Sequence, residues 1–243
     1  MPDQFTSSLP YILLATGAGI LGSVIALFWN PNVTIRSAVQ HFAAGAVLAA
    51  VAASVIPEVE QIGTLPGVVG GFVAGGLLMI CLKWLVIRFE NQGRQKKNLP
   101  IGLASAAAVD TLIDGALISA GFSANDQLGA LLAIALSLEL LFLTLSVGVE
   151  LREVNFPWWQ TLSVTGGIAL LLLVGAFGAG FLLADVPETT LAIVLAFGAA
   201  ALIYLIAEEL LVENVQAEES IFSTATLFIG FLALLILKLL EPK

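Results

Sequence analysis

The chain has 243 residues, of which 59% are hydrophobic and 11% charged, and its mean hydropathy is +1.02. This composition excludes an ordinary soluble domain and predicts an all-α polytopic membrane protein, with the lipid bilayer as its solvent. The formal net charge is −9. Such a balance excludes nucleic acid as a partner, because nucleic-acid-binding proteins need a basic face.

Eight apolar segments are long enough to cross the hydrocarbon core, which needs roughly 20 residues of helix. In chain order they are residues 10–29, 37–57, 66–88, 100–122, 127–149, 159–184, 190–212 and 221–240. Turn-forming residues separate them, such as NPN at 30–32 and SANDQ at 123–127. The first ten residues contain no basic region, so we expect the first span to be a retained helix and not a cleaved signal.

Basic residues predict the orientation of these spans. With the N-terminus outside, seven of the nine Lys and Arg residues fall on the cytoplasmic side, and only Lys238 and Lys243 fall outside. The positive-inside rule therefore predicts a multi-pass protein of the cell membrane, plasma or inner, with both termini outside. The basic linker at 89–99 contributes most, and we interpret it as a solvated cytoplasmic loop.

An internal repeat relates the second and seventh spans. HFAAGAVLAAVAASVIPEVE at 41–60 aligns with AFGAAALIYLIAEELLVENV at 196–215, pairing Phe42 with Phe197 and Glu58 with Glu213. The two spans cross in opposite senses, as in the inverted repeats of transporters. This predicts a single transmembrane domain, 1–243, with eight helices in a 3+2+3 arrangement. Its parts are a first repeat at 10–88, a central pair at 100–149 and a second repeat at 159–240.

Acidic residues occur inside the central pair. Asp110 and Asp114 lie four residues apart and so share one face of the fourth span, and Glu139 lies in the fifth. A charged carboxylate at the bilayer centre costs about 2.5–3.5 kcal/mol on insertion scales. Protons, a water-filled cavity or a bound cation could offset this cost, and oxygen ligands suit a divalent ion. Alternatively, the acids are protonated and serve as structural hydrogen-bonding groups.

At these positions the sequence resembles the ZIP (zinc- and iron-regulated transporter-like) family of divalent-metal transporters. FAAGAVLAA at 42–50, followed by Pro57-Glu58, is similar to the family's small-residue helix that ends in Pro-Glu. DTLIDG at 110–115 falls on the family's His-Asn-x-x-Asp/Glu-Gly. FGAAALIYLIAEELLVE at 197–213 is similar to an apolar run that ends in an acid-rich motif. The eight spans, the outside termini and the cytoplasmic loop after the third span also match.

The resemblance implies a metal site between the fourth and fifth spans. Asp110 takes the place of the family's histidine, Thr111 that of its asparagine, and Asp114 keeps the acid. The fifth span departs from His/Gln-Glu/Asn-x-Pro-His/Glu-Glu/Gly, because SLELLF at 137–142 lacks the proline and two ligands. Glu139 lies one position from the nearest acid of that pattern, so it is expected to face elsewhere unless the helix shifts.

The residues that remain would hold one ion, with Asp110, Thr111 and Asp114 joined by Ser137 and Glu139. Without imidazole ligands, the preference shifts from zinc and iron toward harder ions such as manganese, magnesium or calcium. The family's arrangement further implies a set of residues near the outer entrance and another near the inner exit. The entrance residues would be Ser54 and Glu58, and the exit residues Glu208, Glu209 and Glu213.

These residues predict a transporter that moves a divalent metal (zinc, manganese, iron or similar) toward the cytoplasm by alternating access, with the two repeats rocking against the central pair. We expect no enzymatic activity and no cofactor. Small-residue runs predict close-packing faces between helices and permit a homodimer, and they are AAGA at 43–46, GGFVAGG at 70–76 and GAFGAGF at 175–181. One alternative is a ZIP-fold metal sensor or membrane scaffold with a degenerate site. Proton or monovalent-ion transport is another. An intramembrane aspartyl protease is disfavoured, because such enzymes place their two aspartates on facing helices.

Overall fold

The structure is a computed structural model that describes residues 2–92, 101–212 and 221–240. Over these residues the chain is helical apart from short connections, and no strand occurs among them. A π-helical segment, Val51–Val55, joins the second and third helices. The helices are α1 (Pro2–Phe28), α2 (Val33–Ala50), α3 (Ile56–Ile62), α4 (Leu65–Gln92), α5 (Ile101–Ala124), α6 (Asp126–Glu153), α7 (Trp158–Leu182), α8 (Glu188–Val212) and α9 (Ile221–Leu240).

Seven helical stretches in the described part of the chain are long and apolar enough to cross a membrane. They lie in α1, in α2 continued through α3, and in each helix from α4 to α8. The predicted all-α class is thereby confirmed, and these stretches are compatible with the predicted multi-pass membrane protein. The eighth predicted span is the helix α9, whose described apolar stretch, Thr224–Leu240, is shorter.

The first span begins earlier than predicted, at Pro2, and the second one ends later. It was expected to end at residue 57, but the helix continues through the π-helical segment and Pro57 to Ile62. Proline has no N–H and its ring crowds the carbonyl four residues earlier, so a regular α-helix is disfavoured there. The wider π turn, in which Ile56 N–H donates to Val51 O, accommodates the ring. The linker predicted at 89–99 also begins later, because α4 ends at Gln92.

The helices pack as two groups. In the first group α1 packs chiefly on α6 and α5 on α7, while α5–α6 and α1–α7 contacts close a four-helix bundle. In the second group α2 pairs with α9 and α4 with α8, and contacts between α2 and α8 join the pairs. The two groups meet mainly through α2 with α6 and α5 with α8. We call them the inner bundle and the outer group.

Glycines allow the paired helices to approach at backbone distance. A Cβ added to Gly115 on α5 would collide with Leu172 O on α7, and one added to Gly175 on α7 would collide with Leu112 O on α5. Membrane helices use such small residues at close contacts. The predicted small-residue packing faces are thus confirmed, and equivalent collisions would occur at Gly45, Gly71, Gly75 and Gly230.

Polar contacts hold α6 at both of its ends. Near its start, Asn125 Nδ2 donates a hydrogen bond of 2.8 Å to Glu58 Oε2 at the beginning of α3. Near its end, Glu150 lies 3.8 Å from the Arg36 guanidinium on α2. Arg152 donates a hydrogen bond of 2.8 Å to Ala26 O on α1. These contacts fix the position of the middle of α6, where Glu139 lies.

Candidate metal centre

Three carboxylates from two helices converge inside the inner bundle. Asp110 and Asp114 come from α5 and Glu139 from α6, and one oxygen of each lies within 4.8 Å of the others. All three side chains are buried, with exposed fractions of 7%, 1% and 5%. Among the described residues, no other His, Cys, Asp and Glu residues form such a group. We call this group the carboxylate triad.

The hairpin between α5 and α6 explains why the triad forms. The four-residue spacing puts Asp110 and Asp114 on one face of α5. Asn125 turns the chain by capping α6, with its side chain accepting a hydrogen bond of 2.7 Å from Leu128 N. Gly121 and Gly129 let the two helices meet closely beside this turn. The returning helix then brings Glu139 to the depth of the two aspartates.

Two buried hydroxyl groups, one on α5 and one on α6, lie within two residues of a triad member along the chain. Thr111 Oγ1 donates a hydrogen bond of 2.8 Å to Ala107 O, and the Ser137 hydroxyl donates to Ala133 O. These bonds satisfy the hydroxyl protons within each helix and leave oxygen lone pairs available. Both residues therefore stay predicted ligands of an ion at the triad.

The electrostatics of the triad favour a positive charge. The sequence of α5 contains no Lys, Arg or His, and the only base of α6 is Arg152, in its last turn. Asp110 Oδ2 is buried and accepts no hydrogen bond from any described residue. Buried carboxylates this close repel one another, so protons or a bound cation stabilise the group. Oxygens that bind one ion at 2.0–2.6 Å lie up to about 4–5 Å apart, so a single ion suits this spacing.

The structure brings together Asp110, Asp114 and Glu139, three of the five residues predicted to hold one ion. The family's motif alone left the direction of Glu139 open, because that residue lies one position from the nearest acid and was expected to face elsewhere unless the helix shifts. The motif has a proline where this chain has Leu140. Because α6 lacks that proline and runs unbroken from Asp126 to Glu153, the motif does not determine which face carries the acid.

The predicted entrance and exit residues lie apart from the triad or outside the described residues. Ser54 is buried in the π-helical segment, and Glu58 accepts the hydrogen bond from Asn125. Neither belongs to the triad. Glu208 and Glu209 lie on α8, but their side chains are outside the described residues, as is the whole of Glu213. Their ligand roles stay predictions.

One polar partner of this region was not predicted. Asn125 both caps α6 and donates to Glu58, so it connects the α5–α6 hairpin to the outer group. The signal was present in the sequence, because an Asn directly before an acidic residue and an apolar run is typical of a helix N-cap. SANDQ at 123–127 was predicted only as a turn, so the capping role of Asn125 was missed.

The sequence matches no model of a known protein family, and no curated protein is significantly similar to it. The geometry of the triad is therefore the main indication of what the protein does.

Proposed function

We propose that the protein is a divalent-cation transporter of the ZIP type, which moves its ion toward the cytoplasm by alternating access through the carboxylate triad. The observation that carries this proposal is the convergence of Asp110, Asp114 and Glu139 inside a bundle of membrane-spanning helices. Ionisable residues at membrane depth are costly and typically mark an ion path or a proton relay. A divalent cation would offset the repulsion of the three carboxylates directly.

Charged residues at the two ends of the bundle support the predicted orientation. Described acids lie at both ends, including Glu150 and Glu153 where α6 ends, whereas most of the described bases lie at that end only. The positive-inside rule makes that end cytoplasmic. The acids at the opposite end would then concentrate cations near the entrance. These acids are Glu58, Glu60, Asp126, Asp185 and Glu188, and the bases at the cytoplasmic end are Arg36, Lys83, Arg88 and Arg152.

Helix packing supports the 3+2+3 inverted repeat with eight spans. The repeat would exchange α1 with α7, α2 with α8, α4 with α9, and α5 with α6. Under that exchange, the α1–α6 pair becomes α7–α5, and the α2–α9 pair becomes α8–α4. These are the four most extensive helix pairs of the structure. Inverted repeats of this kind underlie alternating access in many transporters.

The same packing refines how the site could alternate between the two sides. The sequence suggested that the two repeats move against the central pair alone. In the structure, α1 and α7 pack with that pair, and the inner bundle meets the outer group through α2–α6 and α5–α8. We therefore take the inner bundle as the unit that moves, with these two interfaces as the surfaces along which it slides.

Flux into proteoliposomes tests the proposal. The purified full-length protein would be compared with an Asp110→Asn/Asp114→Asn variant across manganese, zinc, iron, cadmium, magnesium and calcium. We expect flux of at least one divalent ion by the wild type and background flux by the variant. Glu153→Gln is the matched control, because Glu153 is an exposed acid in the last turn of α6 that belongs neither to the triad nor to the entrance, and its flux should stay near that of the wild type.

Two results would contradict transport through the triad. Equal flux in the wild type and the double variant would place the ion path elsewhere. Ion binding without flux of any ion, in protein shown to be folded, would favour the sensor alternative. That alternative draws on Leu140 and Leu141, which stand where the ZIP motif has a proline and a ligand.

A further inference from the structure

We infer that the carboxylate triad is a hard-cation site, which accepts manganese, calcium and magnesium and gives zinc and cadmium no large advantage. This inference rests on the proposed function, since it takes the triad as the site of the transported ion. It deepens that proposal by naming the class of ion.

The ligand inventory of the chain supports this class. The whole sequence contains one histidine, one cysteine and two methionines. His41 is on α2, with Nδ1 2.7 Å from Ser37 O, and Cys81 is exposed on α4. Neither residue is part of the converging group. Zinc and cadmium gain most of their preference from imidazole and thiolate ligands, and the triad contains neither.

An incompletely bonded carboxylate points to a ligand at this place. Asp110 is more than nine-tenths buried and belongs to the triad, yet its Oδ2 accepts no hydrogen bond from any described residue. A buried carboxylate oxygen without a donor is costly, and coordination to a cation would remove that cost. This observation is independent of the mere presence of acids in the sequence.

The number and type of oxygens also suit a hard ion. Three carboxylates supply three to six oxygens, depending on whether each binds through one atom or two. The hydroxyl oxygens of Thr111 and Ser137 and water could complete a shell of six or more, as manganese and calcium require. Hard ions bind such shells by electrostatic attraction, which a group of three negative charges supplies.

Competition for bound manganese tests the inference without requiring transport. Free aqueous Mn²⁺ gives a sharp six-line electron paramagnetic resonance signal that broadens on binding, so it reports binding to the full-length protein in nanodiscs. Ca²⁺, Mg²⁺, Zn²⁺ and Cd²⁺ would each be titrated as competitors. We expect Ca²⁺ to displace Mn²⁺, with Zn²⁺ and Cd²⁺ at most about tenfold more effective than Ca²⁺.

An Asp110→His variant sharpens the test, because it adds the missing imidazole to the triad. We expect the effectiveness of Zn²⁺ and Cd²⁺ relative to Ca²⁺ to rise by about tenfold or more. Asp110→Asn is the matched control, since it removes the same charge without adding an imidazole. It should weaken all four competitors alike.

The possible results separate this inference from the proposed function. A wild-type preference for Zn²⁺ or Cd²⁺ over Ca²⁺ by more than about tenfold would overturn the hard-cation class, yet leave transport intact. The expected competition without any flux would keep the class and reject transport. Folded protein that binds none of the ions would overturn both.

Discussion

The helices α4 and α6 have the same length, 28 residues each, and similar hydropathy, yet they occupy opposite environments. Over an apolar segment of 18 residues in α6, 72% of the residues are buried inside the protein, against 17% over the corresponding segment of α4. On α4, large apolar side chains such as Val73, Leu77 and Ile80 are exposed, as expected of a lipid-facing helix. On α6, polar side chains such as Glu139 and Thr144 are buried.

Hydropathy therefore identifies a membrane span but not its place in the bundle. Lipid is as apolar as leucine, so burying apolar surface does not bring membrane helices together. Close backbone contacts and polar groups do so instead. α4 is held by a glycine face against α8, whereas α6 combines close contacts with buried polar groups. Three substitutions, taken from the largest expected effect to the smallest, test this contrast.

The largest effect is expected at Glu139, the acid that α6 contributes to the triad. Glu139→Gln keeps the size of the side chain and removes its charge, so divalent-ion flux in proteoliposomes should fall to background. Glu153→Gln, an exposed acid at the other end of the same helix, should transport like the wild type. Equal loss in both variants would mean that the total charge of α6, and not the triad, determines flux.

A smaller effect on stability is expected from glycines of α4. A Cβ at Gly75 would collide with Phe197 O on α8, whereas a Cβ at Gly76 would meet nothing within 4 Å. Gly75→Val should lower the free energy of unfolding by about 1–3 kcal/mol, the range typical of overpacking. Gly76→Val should leave it nearly unchanged. Unfolding in mixed detergent micelles measures both, and similar losses would show that α4 is not held through this face.

The smallest effect is expected from Thr144 on α6. Its hydroxyl oxygen lies 2.8 Å from Gly19 O on α1 and 2.9 Å from Leu140 O of its own helix, and these carbonyls share its single proton. Thr144→Val should lower the free energy of unfolding by about 0.6–1.7 kcal/mol, the range found for hydrogen bonds between membrane helices. Thr16→Val is the matched control, because the buried Thr16 donates to Ile12 O of its own helix. If Thr144→Val loses no more stability than Thr16→Val, the hydrogen bond between α6 and α1 does not contribute to stability.

The sequence predicted the features that follow from local spacing. The pairing of Asp110 with Asp114 required only the four-residue repeat of a helix, and the spans required only their apolar length. The position of Glu139 relative to them depends on how α6 rotates against α5. That rotation is set by contacts far apart in the sequence, such as Thr144 with Gly19. A family motif could not supply it once the motif's proline was absent.

The π-helical segment was not predicted for a related reason. Pro57 was interpreted as the end of a helix, because proline usually ends or kinks one at the preceding residue. In the structure the helix accommodates Pro57 by widening to a π-helix over Val51–Val55, so it continues without a break to Ile62. Whether a helix stops or widens at proline depends on the neighbours that hold both sides of it. Here the buried Val51, Val55 and Val59 belong to the common core.

The two polar contacts of α6 have a mechanical consequence. The Glu58–Asn125 hydrogen bond and the Arg36–Glu150 ion pair join the inner bundle to the outer group at opposite ends of one helix. A partly exposed ion pair contributes about 0–1 kcal/mol, and a hydrogen bond to a charged group about 1.5–3 kcal/mol, so either contact can break during a conformational change. If transport proceeds as proposed, we expect one contact to open while the other stays closed, and spin labels placed beside the two contacts should report this alternation. Because one contact would always hold α6, the helix would tilt without detaching, and the triad would never be open to both sides of the membrane at once.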